Sequence, residues 1–315
     1  MTIRGIGELG LIKRLSGHIR CDRSVVKGIG DDTAVIKWTG DKYLLFTCDM
    51  LIEDVHFWFR GAKPLREAKF LKRATPYQIG HKALARNISD IAAMGGVPKY
   101  ALVSIGLDPN MSVSFADGIL DGINDLARKF KINIVGGDTS RSGKLVIDVS
   151  LIGEVEKRNM VLRSGAREGD AIFVSGFLGG SIKGKHLDFT PRLNEARALV
   201  RNFKVNSMID ISDGLLLDLW RILDASSTGA LIYEDLIPVS AQADSFKEAV
   251  TDGEDFELLF TIAPKEAERF MKSYLLKLKT PVSLIGEITR EGCGLRLIGA
   301  DWKERRIAKK GFLHF

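Results

Sequence analysis

The sequence carries a series of short motifs in which an acidic residue stands beside glycine or a small polar residue. Most of them follow an apolar, strand-like run, so their carboxylates are expected at the rim of a sheet. The motifs are Gly30-Asp31-Asp32, Cys48-Asp49, Ser89-Asp90, Gly136-Gly137-Asp138-Thr139, Asp210-Ile211-Ser212-Asp213-Gly214 and Gly253-Glu254-Asp255. Converging carboxylates repel one another unless cations neutralise them, and Mg²⁺ bridges carboxylates to substrate phosphates. The pattern predicts phosphoryl transfer or phosphate activation on a site with several Mg²⁺ ions.

Each motif alone also has a purely structural interpretation. Gly30-Asp31-Asp32 suits a hairpin turn, where aspartate and glycine are common. His56 stands beside Phe57 and Trp58, and a lone histidine in such a setting is more often packed than functional. Asp90 differs because it interrupts an apolar helix face, and burial of an unpaired carboxylate is costly. A charged partner or a metal ion is the simplest explanation for Asp90.

Two glycine-rich segments match nucleotide-binding patterns only in part. Gly5–Gly10 fits GxGxxG, but no strand can precede it, as a dinucleotide-binding loop requires. Gly179–His186 follows a strand and fits GxxxxGK, yet His186 stands where a Mg²⁺-binding hydroxyl is needed. A flexible glycine-rich loop is the favoured interpretation of the second segment.

Apolar periodicity predicts the elements that must position these residues, in two blocks that each mix strands and helices. In the first block, strands are expected at Val25–Val26, Ala34–Trp38, Tyr43–Asp49, Tyr100–Gly106, Ile132–Val135 and Leu145–Glu154, and helices at 1–20, His81–Met94 and Ser112–Phe130. Gly136–Thr139 is expected to form a turn.

The second block follows a polar stretch at Glu156–Asp170. Strands are expected there at Ala171–Ser175, Ser207–Asp210, Ala230–Glu234, Leu258–Ile262 and Val282–Ile288, and helices at Asn194–Asn202, Leu215–Ala225 and Pro264–Leu278. The predicted fold is α+β, with two mixed α/β domains at residues 1–155 and 156–315.

Composition narrows the class of protein. The 315 residues are 45% apolar and 27% charged, and no apolar run approaches the roughly 20 residues that span a bilayer. No signal peptide is recognised, and the three cysteines are far apart, so we expect a cytoplasmic protein without membrane partners. The net charge of +6 lies largely in runs such as Lys63–Arg73 and Lys303–Lys310. We interpret these runs as solvated surfaces that suit anionic small substrates, not nucleic acid.

Taken together, in their order and spacing, the motifs resemble those of the thiamine-monophosphate kinase family, part of the aminoimidazole-ribonucleotide synthetase-like ATP-binding superfamily. The resemblance covers nearly the whole chain. Its segments are Gly7–Ile12, Gly28–Ala34, Cys48–Phe57, Asn87–Pro98, Gly136–Ser140, Arg163–Ala166, Met208–Leu219, Gly253–Leu258 and Lys310–Phe315.

The resemblance implies transfer of the γ-phosphate of ATP to thiamine monophosphate on several Mg²⁺ ions, giving thiamine diphosphate and ADP. It also implies a homodimer, in which the N-terminal sheet forms the ATP site at the dimer interface and the C-terminal domain covers it. The implied metal ligands are Asp32, Thr47, Cys48 through its backbone, Asp49, Asp90, Asp138, Asp210 and Asp213. The implied ATP contacts are Gly137, Asp138, Arg163 and Ser212, and the implied thiamine monophosphate contacts are His56, Glu254 and Phe312. No general base is assigned, because the attacking phosphate oxygen is already anionic.

The chain departs from the family pattern at three segments. They are Thr47-Cys48-Asp49 in place of Ser-Thr-Asp or Thr-Thr-Asp, Leu178-Gly179-Gly180-Ser181 in place of Leu-Gly-Asp-Ser, and Thr251-Asp252-Gly253-Glu254 in place of a double glycine before the glutamate. Two alternatives remain open at this stage. One is a sister enzyme that uses ATP to activate another substrate, as aminoimidazole-ribonucleotide synthetase does. The other is a non-catalytic nucleotide-binding module, although such a module is expected to lose several of the acids.

Overall fold

The structure, a computed structural model, describes residues 2–60, 72–273 and 279–309. Its first half contains a helix, three strands, and then helices alternating with strands. These elements are α1 (Ile3–Ser16), β1 (Val25–Lys27), β2 (Ala34–Lys37), β3 (Lys42–Ile52), α2 (Pro76–Ala93), β4 (Val97–Leu107), α3 (Val113–Phe130), β5 (Asn133–Arg141) and β6 (Val146–Glu156). The six strands form one sheet in the order β1-β2-β3-β6-β4-β5, in which only β4 and β5 run parallel.

The second half forms a sheet of its own, in the order β13-β12-β9-β11-β7-β10-β8, with β12 and β9 parallel. Its elements are β7 (Ala171–Ser175), α4 (Lys185–Asp188), α5 (Leu193–Asn202), β8 (Val205–Asp210), α6 (Leu215–Ser226), β9 (Thr228–Tyr233), α7 (Phe246–Thr251), β10 (Leu258–Ile262), α8 (Pro264–Ser273), β11 (Val282–Arg290), β12 (Leu295–Ile298) and β13 (Glu304–Arg306).

Helix α2 is the central element of the molecule. It begins with a capping box, in which the Thr75 hydroxyl accepts from the Gln78 N–H and the Gln78 side chain accepts from the Thr75 N–H. It packs on the first sheet through β3 and β6, on α3, and on α5 and β8 of the second half. Ile79, Leu84, Ile88 and Ile91 of α2 are fully buried in a core that residues of both halves share.

Glycines allow α2 and α3 to approach each other closely. A Cβ atom at Gly80 would lie 1.9 Å from the carbonyl oxygen of Ile119, and one at Gly122 would lie 2.0 Å from that of Tyr77. No side chain fits at such distances, so backbone contacts between the two helices fix the position of α2 over the sheet.

The opposite face of the first sheet is left uncovered by the residues that the structure describes. Phe46, Tyr100 and Leu102 are 42%, 49% and 47% exposed, and Met50 is 50% exposed. Phe46 and Tyr100 are both in register with Ile152, so these side chains share a face. The first sheet therefore has one face against helices and one apolar face open to solvent.

The α+β fold with two domains is confirmed, and most predicted elements lie within one to five residues of the observed ones. The prediction of a turn at Gly136–Thr139 is wrong, because these residues continue strand β5 beside β4. A Cβ atom at Gly137 would lie 1.7 Å from the Val103 carbonyl oxygen, so glycine serves close strand pairing there. The first sheet ends at Glu156 and the second begins at Ala171; the boundary at 155/156 stays a prediction.

Candidate active site

Three aspartates from distant parts of the chain meet between the two halves. Asp32 lies in the loop before β2, Asp90 lies on α2, and Asp210 ends β8. One carboxylate oxygen of each lies within 4.8 Å of the other two. The Thr47 hydroxyl on β3 donates to Asp90 at 2.5 Å, and that of Ser89 donates to Asp210 at 2.6 Å. We call Asp32, Asp90 and Asp210 the aspartate cluster.

The electrostatics of the aspartate cluster are those of a site built for cations. Burial raises the pKa of Asp90 well above its usual range, and the charges of Asp49, Asp210 and Asp32 raise it further. Burial and the charge of Asp32 likewise raise the pKa of Asp210. Oδ2 of Asp32 is buried and has no hydrogen-bond partner among the described residues. Hard oxygen donors, close together and partly unsatisfied, fit Mg²⁺.

A cavity of about 690 Å³ opens beside the aspartate cluster. Its lining includes Leu9, Asp31, Asp32, Thr47, Cys48, Asp49, His56, Arg86, Asp90, Arg163, Ser212, Asp213, Arg221, Glu254 and Phe256. Its volume lies within the roughly 300–1,000 Å³ that is common for small-molecule sites.

Guanidinium groups offset several carboxylates of the cavity. Arg163 Nη2 lies 2.6 Å from Asp32 Oδ1, and Arg86 Nη2 lies 3.2 Å from Asp49 Oδ1. Arg221 Nη2 lies 2.5 Å from Asp213 Oδ2. The same guanidinium contacts Asp218, which lies one turn before Arg221 on α6. The cavity thus holds positive groups within reach of any bound phosphate.

At the other end of the cavity, Glu254 is held by a buried ion pair. The Lys82 ammonium is fully buried and donates to Glu254 and, at 2.7 Å, to the His56 carbonyl. Nδ1 of His186 lies 2.8 Å from both the Lys82 ammonium and Oε2 of Glu254. Burial lowers the pKa of Lys82 to about 8. Burial opposes ionisation of Glu254, but Lys82 and His186 outweigh it and hold the pKa of Glu254 well below its usual range.

The backbone conformation at Glu254 is unusual. Its φ is +67°, a left-handed value that a side chain other than glycine, asparagine or aspartate rarely adopts. The Glu254 N–H donates to the Ser212 carbonyl at 2.6 Å, which ties this loop to the motif after β8. Strained backbone of this kind clusters at binding sites, and here it presents an ionised carboxylate to the cavity.

The structure brings most of the expected site residues together. Around the cavity lie Asp32, Thr47, Cys48, Asp49, His56, Asp90, Arg163, Ser212, Asp213 and Glu254, and Asp210 completes the aspartate cluster. The thiol of Cys48 lies on the opposite face of β3 and donates to Asp148 at 3.1 Å, so only its backbone faces the cavity. Phe312 lies outside the described residues.

Gly137 and Asp138 are not brought to this cavity. Residues that pair across strands lie on the same face of a sheet. Asp138 on β5 pairs with Ser104 on β4, Ser104 pairs with Asp148 on β6, and Asp148 pairs with Met50 on β3. Asp138 therefore lies on the uncovered face of the sheet, three strand spacings or about 14 Å from β3. Within one chain it cannot join the aspartate cluster.

Sequence reasoning missed three cations of the site, Lys82, Arg86 and Arg221. A signal existed for two of them, because Lys82 and Arg86 precede Asp90 by eight and four residues and so share its helix face. The glycine-rich segment at 179–186 is also not the flexible loop that we predicted. The Gly179 N–H donates to the Asp255 carboxylate at 2.9 Å, and a Cβ atom there would lie 2.4 Å from Ala249 Cα.

Comparison with known proteins decides the family. Residues 30–155 match the family model of the AIR synthase related protein, N-terminal domain, and residues 160–297 match that of its C-terminal domain. The chain is 37% identical to a thiamine-monophosphate kinase of Rhodopirellula baltica, over 98% of this chain and 97% of that protein. It is 33% identical to one of Bacillus subtilis, over 98% of this chain and 99% of the relative. The chain belongs to the thiamine-monophosphate kinase family.

Solved structures agree with this membership of the kinase family. A structure described as AaThiL complexed with AMPPCP and TMP is 30% identical and superposes with a TM-score of 0.82, covering 100% of this chain and 99% of that one. Of the helices described here, none combines the length and apolar composition that a membrane-spanning helix requires.

Proposed function

We propose that this chain transfers the γ-phosphoryl group of ATP to thiamine monophosphate. The bond between the γ-phosphorus and the β–γ bridging oxygen breaks, and a bond forms to a phosphate oxygen of the acceptor. The products are ADP and thiamine diphosphate. The observation that carries the proposal is one cavity with the aspartate cluster at one end and an ionised, strained Glu254 at the other.

The aspartate cluster and its neighbours Thr47, Asp49 and Asp213 would hold Mg²⁺. Bound Mg²⁺ would neutralise phosphate oxygens and align donor with acceptor, which is the main requirement of phosphoryl transfer. Arg163 and Ser212 border the same part of the cavity and would contact the ATP phosphates. Arg163 can shift from Asp32 to a phosphate because the guanidinium fork fits both anions.

The Glu254 end would bind the thiamine part of the acceptor. Thiazolium is a cation, and Glu254 is an anion that lines the cavity together with His56 and Phe256. Nδ1 of His56 accepts from the Ile52 N–H at 3.0 Å, so a neutral His56 carries its proton on Nε2 and can donate to a ligand. An anion and aromatic surface together suit a cationic heterocycle.

A second copy of the chain would complete the ATP site. The uncovered face of the first sheet carries Phe46, Tyr100 and Leu102, with Asp138 on the same face of the edge strand β5 and Gly137 next to it in the chain. Pairing of two such faces would bury these apolar side chains and bring the Gly137-Asp138 segment of one copy toward the nucleotide of the other. The homodimer, and the ATP and metal roles of these two residues, belong to the proposal. A cytoplasmic location and the absence of a nucleic-acid partner also stay predictions.

The test is product analysis with purified protein, ATP, Mg²⁺ and thiamine monophosphate. We expect thiamine diphosphate and ADP in equal amounts, with loss of at least 100-fold in Asp49→Asn, because Asp49 faces the transfer site. Arg128→Gln, a change of an exposed residue on α3, is the control. ATP binding without thiamine diphosphate would point to a sister enzyme with another acceptor.

A further inference from the structure

Helix α2 spans the cavity from one end to the other. Lys82, Arg86 and Asp90 lie on one face of it, and the rise of 1.5 Å per residue places successive members about 6 Å apart along the axis. Lys82 contacts Glu254 at the end proposed for thiamine, and Asp90 belongs to the aspartate cluster. Arg86 therefore marks the point between the cationic heterocycle and the metal end.

The Arg86 side chain is only partly satisfied where it lies. Its side chain is 14% exposed and makes two long hydrogen bonds to the described residues, from Nη2 to Asp49 at 3.2 Å and from Nη1 to the Met50 carbonyl at 3.3 Å. Its Nε–H is buried and has no hydrogen-bond partner in the part of the chain that the structure describes. A guanidinium has five donors, so the cavity side of Arg86 retains capacity for an anion.

We propose that Arg86 binds the phosphate of the acceptor and thereby selects the phosphorylated vitamin over thiamine. The inference rests on the proposed function, since it assigns the acceptor's phosphate to a residue of that site. A phosphate between Glu254 and the aspartate cluster would lie among the carboxylates of Asp49, Asp90 and Glu254, which repel it. Arg86 borders this stretch from α2, between Lys82 and Asp90, and its positive charge offsets that repulsion.

A narrower role for Arg86 is to neutralise Asp49 alone. The two roles differ in what they predict for ligands that share the thiamine part. A phosphate ligand role affects thiamine monophosphate and leaves thiamine unaffected, because thiamine has a hydroxyl in place of the phosphate. Neutralisation of Asp49 affects the Mg²⁺ dependence and leaves the discrimination between the two ligands unchanged.

The experiment is calorimetric titration of the full-length protein, with Mg²⁺ and a non-hydrolysable ATP analogue, by thiamine monophosphate and separately by thiamine. We expect Arg86→Gln to weaken binding of thiamine monophosphate by about 10- to 100-fold, the range for loss of a charged hydrogen bond. Binding of thiamine should stay within twofold of wild type. Arg86→Lys should recover part of the loss, because it keeps the charge without the fork. Arg128→Gln is the matched control on an exposed site.

Each other outcome has a definite meaning. A wild-type protein that binds thiamine monophosphate no more tightly than thiamine overturns this inference, whereas only the absence of thiamine diphosphate in the product analysis overturns the proposed function. A wild-type preference that Arg86→Gln preserves overturns the role of Arg86 alone. An equal loss for both ligands also overturns it, because it shows distortion of the cavity. If Arg86→Gln changes the Mg²⁺ concentration that binding requires but leaves the preference for thiamine monophosphate over thiamine unchanged, the role of Arg86 is only to neutralise Asp49, and the inference is overturned.

Discussion

Burial of acidic side chains gives the protein without bound metal a distinctive pH dependence. Burial raises the pKa of Asp31 to about 6 and that of Asp218 and Asp255 to about 7, in addition to the raised values of Asp90 and Asp210. A carboxylate with a folded-state pKa above its unfolded value binds more protons when folded, so stability falls as pH rises. His186 and Lys82 act in the opposite sense, because burial lowers the pKa of each, but the carboxylates outnumber them.

We therefore expect the melting temperature in EDTA to fall by several degrees, roughly, between pH 5.5 and pH 8. Mg²⁺ with an ATP analogue should flatten this slope, since the bound cation favours ionised carboxylates. Scanning calorimetry at a series of pH values measures both slopes. Asp210→Asn should show a smaller slope than wild type in EDTA. A melting temperature that rises with pH in EDTA would contradict these charge states.

The Lys82 and Glu254 pair should be strongly coupled. Lys82→Met leaves Glu254 without its buried cation, and we expect a loss of about 2 kcal/mol in the free energy of unfolding. This figure is below the usual cost of breaking a buried pair because the Glu254 side chain is 21% exposed. Urea unfolding of both single variants and of the double variant with Glu254→Gln gives the coupling.

The double variant should be more stable than the sum of the single changes predicts. Lys272→Met removes a cation from the exposed pair with Glu268 and should leave stability unchanged. Strictly additive effects at Lys82 and Glu254 would mean that the pair is not coupled.

At the scale of elements, the close contact between α2 and α3 fixes the cations of the site. Gly122→Ala would place a methyl group against the Tyr77 carbonyl, so the helices must separate. We expect a loss of about 3 kcal/mol in stability, together with lower activity, because α2 carries Lys82, Arg86 and Asp90. Chemical denaturation and the kinase assay measure the two effects.

Gly292→Ala is the matched control for the helix contact, since a Cβ atom at Gly292 meets no atom of the described residues within 4 Å. It should be neutral in stability and activity. A stable and fully active Gly122→Ala variant would show that the helix contact tolerates the shift.

Local pattern was enough to predict some elements and not others. The apolar residues Ile119, Ile123 and Leu126 recur at helical spacing and are all buried on α3, as predicted. The sequence predicts that strand β5 ends before Gly136, because glycine in a local pattern indicates a turn. The strand continues because Gly137 pairs with Val103, which lies 34 residues away in the sequence. Lys82 and Arg86 were missed because charged residues on a helix usually indicate a solvent face. Their burial depends on the second half of the chain, which no local pattern describes.

At the scale of the molecule, the uncovered face of the first sheet should hold two copies together. Leu102→Asp introduces a charge into that face, where Leu102 is 47% exposed. We expect the dimer to dissociate and the activity to fall by at least 10-fold, because the Gly137-Asp138 segment would no longer reach the partner's nucleotide. Light scattering coupled to size-exclusion chromatography measures the mass.

Val113→Asp, at a position 77% exposed at the start of α3, is the control for the added charge. It should leave mass and activity unchanged. A wild-type protein that is monomeric and active would remove the need for the second copy.

The bond from Lys82 to Glu254 joins residues 172 positions apart, and this separation has a consequence for biosynthesis. A chain emerging from the ribosome presents α2 long before the loop that carries Glu254 exists. Until that loop arrives, the Lys82 ammonium lacks its carboxylate partner, and the wall of the cavity at the Glu254 end is incomplete. Contacts of such long range form late in folding. We therefore expect a chain that stops before Glu254 to lack the ionised carboxylate at that end of the cavity and to be inactive in the product assay.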